Sequence, residues 1–301
     1  MLNRDRLIVA LDVSSATQAR QIVQSIGESA STYKIGKQLF TAEGPQVVRD
    51  LVSSGRKVFL DLKFHDIPNT VSGAVAEAAK LGVSMLTVHA SGGSKMLKAA
   101  AEAAAQSASK PMVLAVTVLT SLSDADLAEL GIAGHVATQV LRLGSLARQA
   151  GCGGLVASAL EARELRRELG NDFAIVTPGI RPVGTGTPPS SVGGPNLPAS
   201  GKCGASASDD QARVLTPREA IAAGATYLVV GRPIIEAPDP AQAAAAIVSA
   251  IGGPSSLVDG TVTEGLRGGR GFPACPSTDR ETGDASICRS RQPETPGAWE
   301  A

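Results

Sequence analysis

Val58-Phe59-Leu60-Asp61-Leu62-Lys63 reads as a β-strand, and its alternation decides how the rest of the chain is organised. Successive side chains on a strand point to opposite faces. Val58, Leu60 and Leu62 share an apolar face that can pack beneath helices, whereas Phe59, Asp61 and Lys63 share the other. Two opposite charges therefore stand at the C-terminal end of the strand, on the side that faces inward if the sheet is closed. The same parity puts Ile8, Ala10 and Asp12 on one face of an earlier strand, with Asp12 at its end. Lys34 sits among apolar neighbours in Thr32-Tyr33-Lys34-Ile35-Gly36, and Asp66 follows just past the 57–63 strand.

Outward from this segment, short β-branched or aliphatic runs recur at residues 7–12, 32–36, 57–63, 84–89, 112–119, 154–157, 173–177 and 226–230. Ala-rich helical stretches follow them near 15–26, 42–54, 70–81, 94–106, 137–150, 159–169, 216–223 and 240–251. Thr216-Pro217 and Asp239-Pro240 each read as a helix N-cap followed by proline at the first helical position, where its missing N–H costs nothing. Gly55, Gly82, Gly151, Gly170 and Gly224 fall where helices should stop. Eight strand-then-helix units predict a single α/β domain over residues 1–252, a closed (β/α)8 TIM barrel. A doubly wound open sheet is the alternative, but no G-x-G-x-x-G follows the first strand. Residues 1–6 run straight into that strand.

Two segments break the rhythm. Residues 182–210 are rich in Gly, Pro and Ser and read as one long loop, of the length found in lids and insertions. Residues 253–301 lack apolar periodicity and mix charge with Gly and Pro, which predicts a disordered C-terminal extension.

Composition narrows the function. Apolar residues make up 43% of the chain but aromatics only 3%, so the core must be built from Ala, Val, Leu and Ile. Lys plus Arg (28) balances Asp plus Glu (28), which gives none of the basic excess expected of a nucleic-acid or membrane-surface binder. No apolar run reaches the ~18 residues of a membrane span, and no signal-peptide core is present, so a soluble cytoplasmic protein is expected. Cys152, Cys203, Cys275 and Cys288 form no C-x-x-C pair and no zinc-like spacing, and are expected to be free thiols.

In the predicted barrel, Asp12, Lys34, Asp61 and Lys63 gather at one mouth, with Asp66 just outside. Such charges could simply close a barrel end with salt bridges. Desolvation offsets most of the Coulomb gain of a cluster that size, however, so it is a poor stabilising device. Alternating charges at the C-terminal mouth read better as a functional site. At the last strand, Val229-Val230-Gly231-Arg232-Pro233 places a glycine that a ligand can approach closely, then an arginine whose fork suits phosphate. Barrels often bind phosphate after strands seven and eight.

The segment Asp61-Leu62-Lys63-Phe64-His65-Asp66-Ile67-Pro68-Asn69-Thr70 resembles the D-x-K-x-x-D signature of the orotidine 5'-phosphate decarboxylase family. Ala10-Leu11-Asp12, Tyr33-Lys34-Ile35-Gly36, Thr87-Val88-His89-Ala90 and Leu119-Thr120-Ser121 stand around it in the family's order. Thr177-Pro178-Gly179-Ile180-Arg181, Asp210-Gln211-Ala212-Arg213 and Val230-Gly231-Arg232-Pro233 complete the series, which covers residues 7 to about 250. D-x-K-x-x-D alone is shared with sister barrel enzymes that act on sugar phosphates with Mg²⁺; the later segments argue against them. A catalytically dead nucleotide-binding barrel is the other alternative, and the intact charged series disfavours it.

The resemblance implies decarboxylation of orotidine 5'-phosphate to UMP, the last step of de novo pyrimidine nucleotide biosynthesis, without metal or organic cofactor. It makes Lys63 the proton donor to the pyrimidine carbon and sets Asp61 near the substrate carboxylate. Asp66 and Thr70 would reach the neighbouring subunit's site in a homodimer. Asp12 and Lys34 would hold ribose hydroxyls, while Thr120, Ser121 and Pro178 would face the pyrimidine. Arg181, Gln211, Gly231 and Arg232 would grip the phosphate. The family's loop between Arg181 and Gln211 is usually shorter, so residues 182–208 read as an insertion. Of the histidines, His65 is expected to pack locally, His89 to form a structural hydrogen bond, and His135 carries no signal.

Overall fold

A computed structural model describes residues 1–181 and 215–252 of the 301-residue chain. The strands are β1 (Leu7–Ala10), β2 (Thr32–Gly36), β3 (Lys57–Phe64), β4 (Met85–His89), β5 (Met112–Val116), β6 (Gly154–Val156), β7 (Ala174–Thr177) and β8 (Tyr227–Val230). They pair in parallel, in sequence order, and β8 returns to β1, so the sheet is a closed (β/α)8 barrel. The predicted loop 182–210, Gln211 and the predicted extension 253–301 all lie outside the described residues.

Alternation along β3 is visible in what each face touches. Val58 and Leu60 are buried between sheet and helices, with Leu62 packed against the same cluster. Phe59 instead joins Ile8, Ala10, Met85, Leu114, Val176 and Val229 in a separate apolar layer that fills the lumen. Phe59 is 2% exposed, and burying a side chain of that size contributes roughly 1.5–3 kcal/mol. The layer plugs the barrel, so polar groups further along the strands open only toward the C-terminal mouth.

The helices depart from the reading in four places. The stretch predicted at 42–54 is two helices, Lys37–Glu43 and Gln46–Ser53. Gly44 takes a left-handed φ of 67° and ends the first, and Pro45 caps the second. The N-terminus does not run straight into β1: Asn3–Arg6 is a short helix that packs against Pro240–Gly252. Asp124–Glu129 is a further helix, fixed by a capping box in which Ser123 and Asp126 satisfy each other's backbone N–H groups. A short helix, Arg232–Ile235, follows β8 directly. The expected stops at Gly55, Gly82, Gly151, Gly170 and Gly224 all have positive φ, and Thr216 forms the expected cap before Pro217. β1 and β5 end earlier than predicted, at Ala10 and Val116, which leaves Asp12 and Leu119 in the loops beyond them.

Candidate active site

The lumen above the apolar plug opens into a cavity of about 950 Å³ at the C-terminal mouth. Parity on β2 and β3 and the loop after β1 deliver its charges in a row. Lys34 Nζ donates to Asp12 Oδ1 at 2.9 Å and stands 3.8 Å from Asp61 Oδ2. Lys63 Nζ donates to both Asp61 oxygens, at 2.8 and 2.9 Å. The order Asp12–Lys34–Asp61–Lys63 alternates in sign. It is also increasingly enclosed toward its middle: Asp12 is 52% exposed, Lys34 12% and Asp61 13%. Alternation of this kind keeps the buried charges compensated.

Two local features make room for the row. An added Cβ on Gly36 would lie 3.1 Å from Lys34 Nζ and 3.4 Å from Asp12 Oδ1, so the glycine leaves space for that ion pair. Lys63 itself has φ 54°, a left-handed backbone that costs a non-glycine residue about 1–2 kcal/mol. Its backbone N–H donates to Thr87 Oγ1 at 2.9 Å, and Thr87 Oγ1 donates to Asp61 Oδ1 at 3.0 Å. Neither the strained backbone nor Thr87 was evident from the strand pattern.

Thr120, Pro178, Arg181, Gly231 and Arg232 line the same cavity as the charged row, with Gly231 close beside Asp12. The Arg181 N–H donates to the Leu215 carbonyl at 3.1 Å beside the Ile180–Leu215 bridge. Ser121 is exposed and does not line the cavity. Asp66 and Thr70 are exposed too and do not line the cavity; Asp66 accepts the N–H of its neighbour Ile67 at 2.6 Å. Gln211 falls among the residues not described.

Behind Lys63, the rings of His65 and His89 lie 5.3 Å apart, so the contact seen at His89 is ring packing. Burial, then the charges of His65, Lys63 and Lys37, push the His89 imidazole below its ordinary value of 6.5. His135, assigned no role from sequence, occupies the N-cap position of the helix Val136–Gln149, whose Val136 N–H donates to Asp124 Oδ1 at 2.7 Å. Its Nδ1 lies 2.7 Å from Asp124 Oδ2, and this hydrogen bond raises its pKa. Cys152 is free and buried, with its thiol pushed up to about 12 by desolvation. Among the described residues, no group of three or more His, Cys, Asp or Glu is placed to hold a metal ion, and no helix is long and apolar enough to cross a membrane.

A lysine held by a carboxylate on the floor of a cleft can deliver a proton to a carbon bound above it. Arginines at the rim can hold an anionic group at a distance from that carbon. Fold and site together define an enzyme of the (β/α)8-barrel class with a charged C-terminal mouth. Residues 5–247 match the model of the orotidine 5'-phosphate decarboxylase / HUMPS family, and the chain belongs to that family. It is 47% identical over 247 residues to an orotidine 5'-phosphate decarboxylase of Idiomarina loihiensis, covering 82% of this chain and 98% of that one. The enzyme of the same name from Nitrosococcus oceani is 47% identical over 250 residues, covering 83% and 99%. The crystal structure of orotidine 5'-phosphate decarboxylase from Lactobacillus acidophilus superposes with a TM-score of 0.68 at 37% identity, covering 83% of this chain and all of that one.

Proposed function

We propose that this protein decarboxylates orotidine 5'-phosphate to UMP, with Lys63 protonating the pyrimidine carbon that loses CO₂. The observation that carries the reading is that the Asp12–Lys34–Asp61–Lys63 row lines one cavity together with Arg181 and Arg232. The substrate has an anionic phosphate at one end and a carboxylate on its pyrimidine, and the cavity lining offers cations to both. Arg181 and Arg232 grip the phosphate, Gly231 lets it approach the backbone, and Gln211 completes the grip. Asp12 and Lys34 hold the ribose hydroxyls, and Thr120 and Pro178, which line the cavity, face the ring. The Lys63 ammonium, fixed by Asp61, faces the carbon on which negative charge develops and stabilises it before transferring its proton. Binding energy gathered at the phosphate is thereby used far from the reacting carbon.

The working unit is a homodimer in the cytoplasm, in which Asp66 and Thr70 serve the neighbouring subunit's site. Their exposure, their absence from the lining of the cavity and the 66% exposure of the intervening Ile67 support this arrangement. The chemistry is proposed to need neither metal nor organic cofactor. The test is the loss of absorbance as purified protein consumes orotidine 5'-phosphate in excess EDTA. Sustained turnover is expected; strict dependence on added Mg²⁺, or UMP binding without turnover, would overturn the reading.

A further inference from the structure

The pairing of β3 with β4 jumps from Leu60↔Leu86 to Phe64↔Val88. Asp61, Leu62 and Lys63 together therefore stand opposite the single residue Thr87. Bulges of this kind re-aim side chains and leave backbone groups without ladder partners. Here the unpaired group is the N–H of left-handed Lys63, and its partner is the Thr87 hydroxyl at 2.9 Å. A hydroxyl has one proton to donate and lone pairs to accept. The Thr87 lone pair is taken by the Lys63 amide and its proton goes to Asp61 Oδ1 at 3.0 Å, which fixes the hydroxyl rotor. The same Asp61 oxygen receives Lys63 Nζ at 2.8 Å, so the three groups close a ring through one side chain.

Thr87 is fully buried on the lumen face of β4 and does not line the cavity, so it acts through its neighbours rather than on a bound molecule. We propose that Thr87 is a positioning residue for the reaction: its hydroxyl clamps the strained Lys63 backbone to the Asp61 carboxylate and so sets where the ammonium points. This inference rests on the decarboxylase reading above.

Thr87→Val keeps the volume and removes both hydrogen bonds, whereas Thr87→Ser keeps the hydroxyl. Steady-state kinetics with orotidine 5'-phosphate should show kcat of Thr87→Val lowered by about 10- to 100-fold, since displacing a reacting group by an ångström is costly. KM and the UMP dissociation constant should stay within about threefold of wild type, and Thr87→Ser should recover kcat to within about threefold. A merely structural threonine would lower the melting temperature of Thr87→Val but leave kcat per folded molecule unchanged, and that outcome overturns the proposal. So does a Thr87→Ser variant as impaired as Thr87→Val, because the hydroxyl would then not matter. Should Thr87→Val fail to fold, Thr87→Cys replaces it: the thiol is a weak hydrogen-bonding group, so a wild-type kcat there is equally fatal. An inactive wild-type protein would remove the decarboxylase reading itself, and this inference with it; an active wild type with an indifferent Thr87→Val removes this inference alone.

Discussion

Replacing Asp61 with asparagine probes the hub of the charged row without changing its volume. The carboxylate accepts two bonds from Lys63 Nζ and one from Thr87, and lies 3.8 Å from Lys34 Nζ. A unit charge pair at the 2.8 Å Lys63–Asp61 separation has a gross attraction of about 6 kcal/mol at an effective dielectric near 20. Desolvation offsets most of it and leaves about 1.5–3 kcal/mol, the usual net for a hydrogen bond to a charged group. Lys34 keeps Asp12, but Lys63 loses its carboxylate, so the folded protein should melt about 3–12 °C lower. The chemical step should suffer more, because the proposed proton donor is no longer held: kcat should fall by about 100- to 1,000-fold. KM should hold steady or fall, since neutral asparagine no longer repels the substrate carboxylate. Thermal melts and absorbance kinetics on orotidine 5'-phosphate measure all three. A kcat within about threefold of wild type, or a raised KM with kcat intact, would refute the reasoning.

Gly36→Ala should push on the Lys34–Asp12 pair through a Cβ only 3.1 Å from Lys34 Nζ, and kcat/KM should drop about tenfold in the same assay. Mixing Asp66→Ala chains with Lys63→Ala chains should restore about a quarter of wild-type activity, because half the dimers are mixed and each carries one intact site. No recovery despite mass-spectrometric proof of mixed dimers would remove Asp66 from the neighbouring site. The His89 imidazole, depressed below 6.5 in the fold, is more readily protonated in the unfolded chain. Its contribution to stability should therefore be lost as pH falls below about 6.5, and His89→Gln should flatten the pH dependence of melting between about pH 7 and 5. An NMR titration of His89 at or above the ordinary value would contradict this.

Parity alone placed Phe59, Asp61 and Lys63 in the lumen, because period-2 alternation is a property of the local backbone. Helix stops were legible for a similar reason: glycine is the residue that takes positive φ without strain. The left-handed Lys63 was not legible, since a lysine in a strand-like run carries no signal for φ 54°. Thr87 was hidden because its role depends on the β3–β4 register, a tertiary quantity, although its segment had been singled out for resemblance. The helix predicted at 42–54 divides at Gly44-Pro45, where a positive-φ glycine ends one helix and a proline opens the next. Ser121 was placed at the pyrimidine by resemblance, but β5 ends at Val116 and leaves it exposed on the loop beyond.

The proposed role of the Lys63 ammonium is that of proton donor. Its direct measurement is the turnover of orotidine 5'-phosphate by Lys63→Ala, alongside a melting curve and UMP binding. A folded protein that still binds UMP but has lost at least about 1,000-fold in kcat is the predicted result. Turnover at more than about a tenth of the wild-type rate would contradict it, and would move the proton transfer to another group.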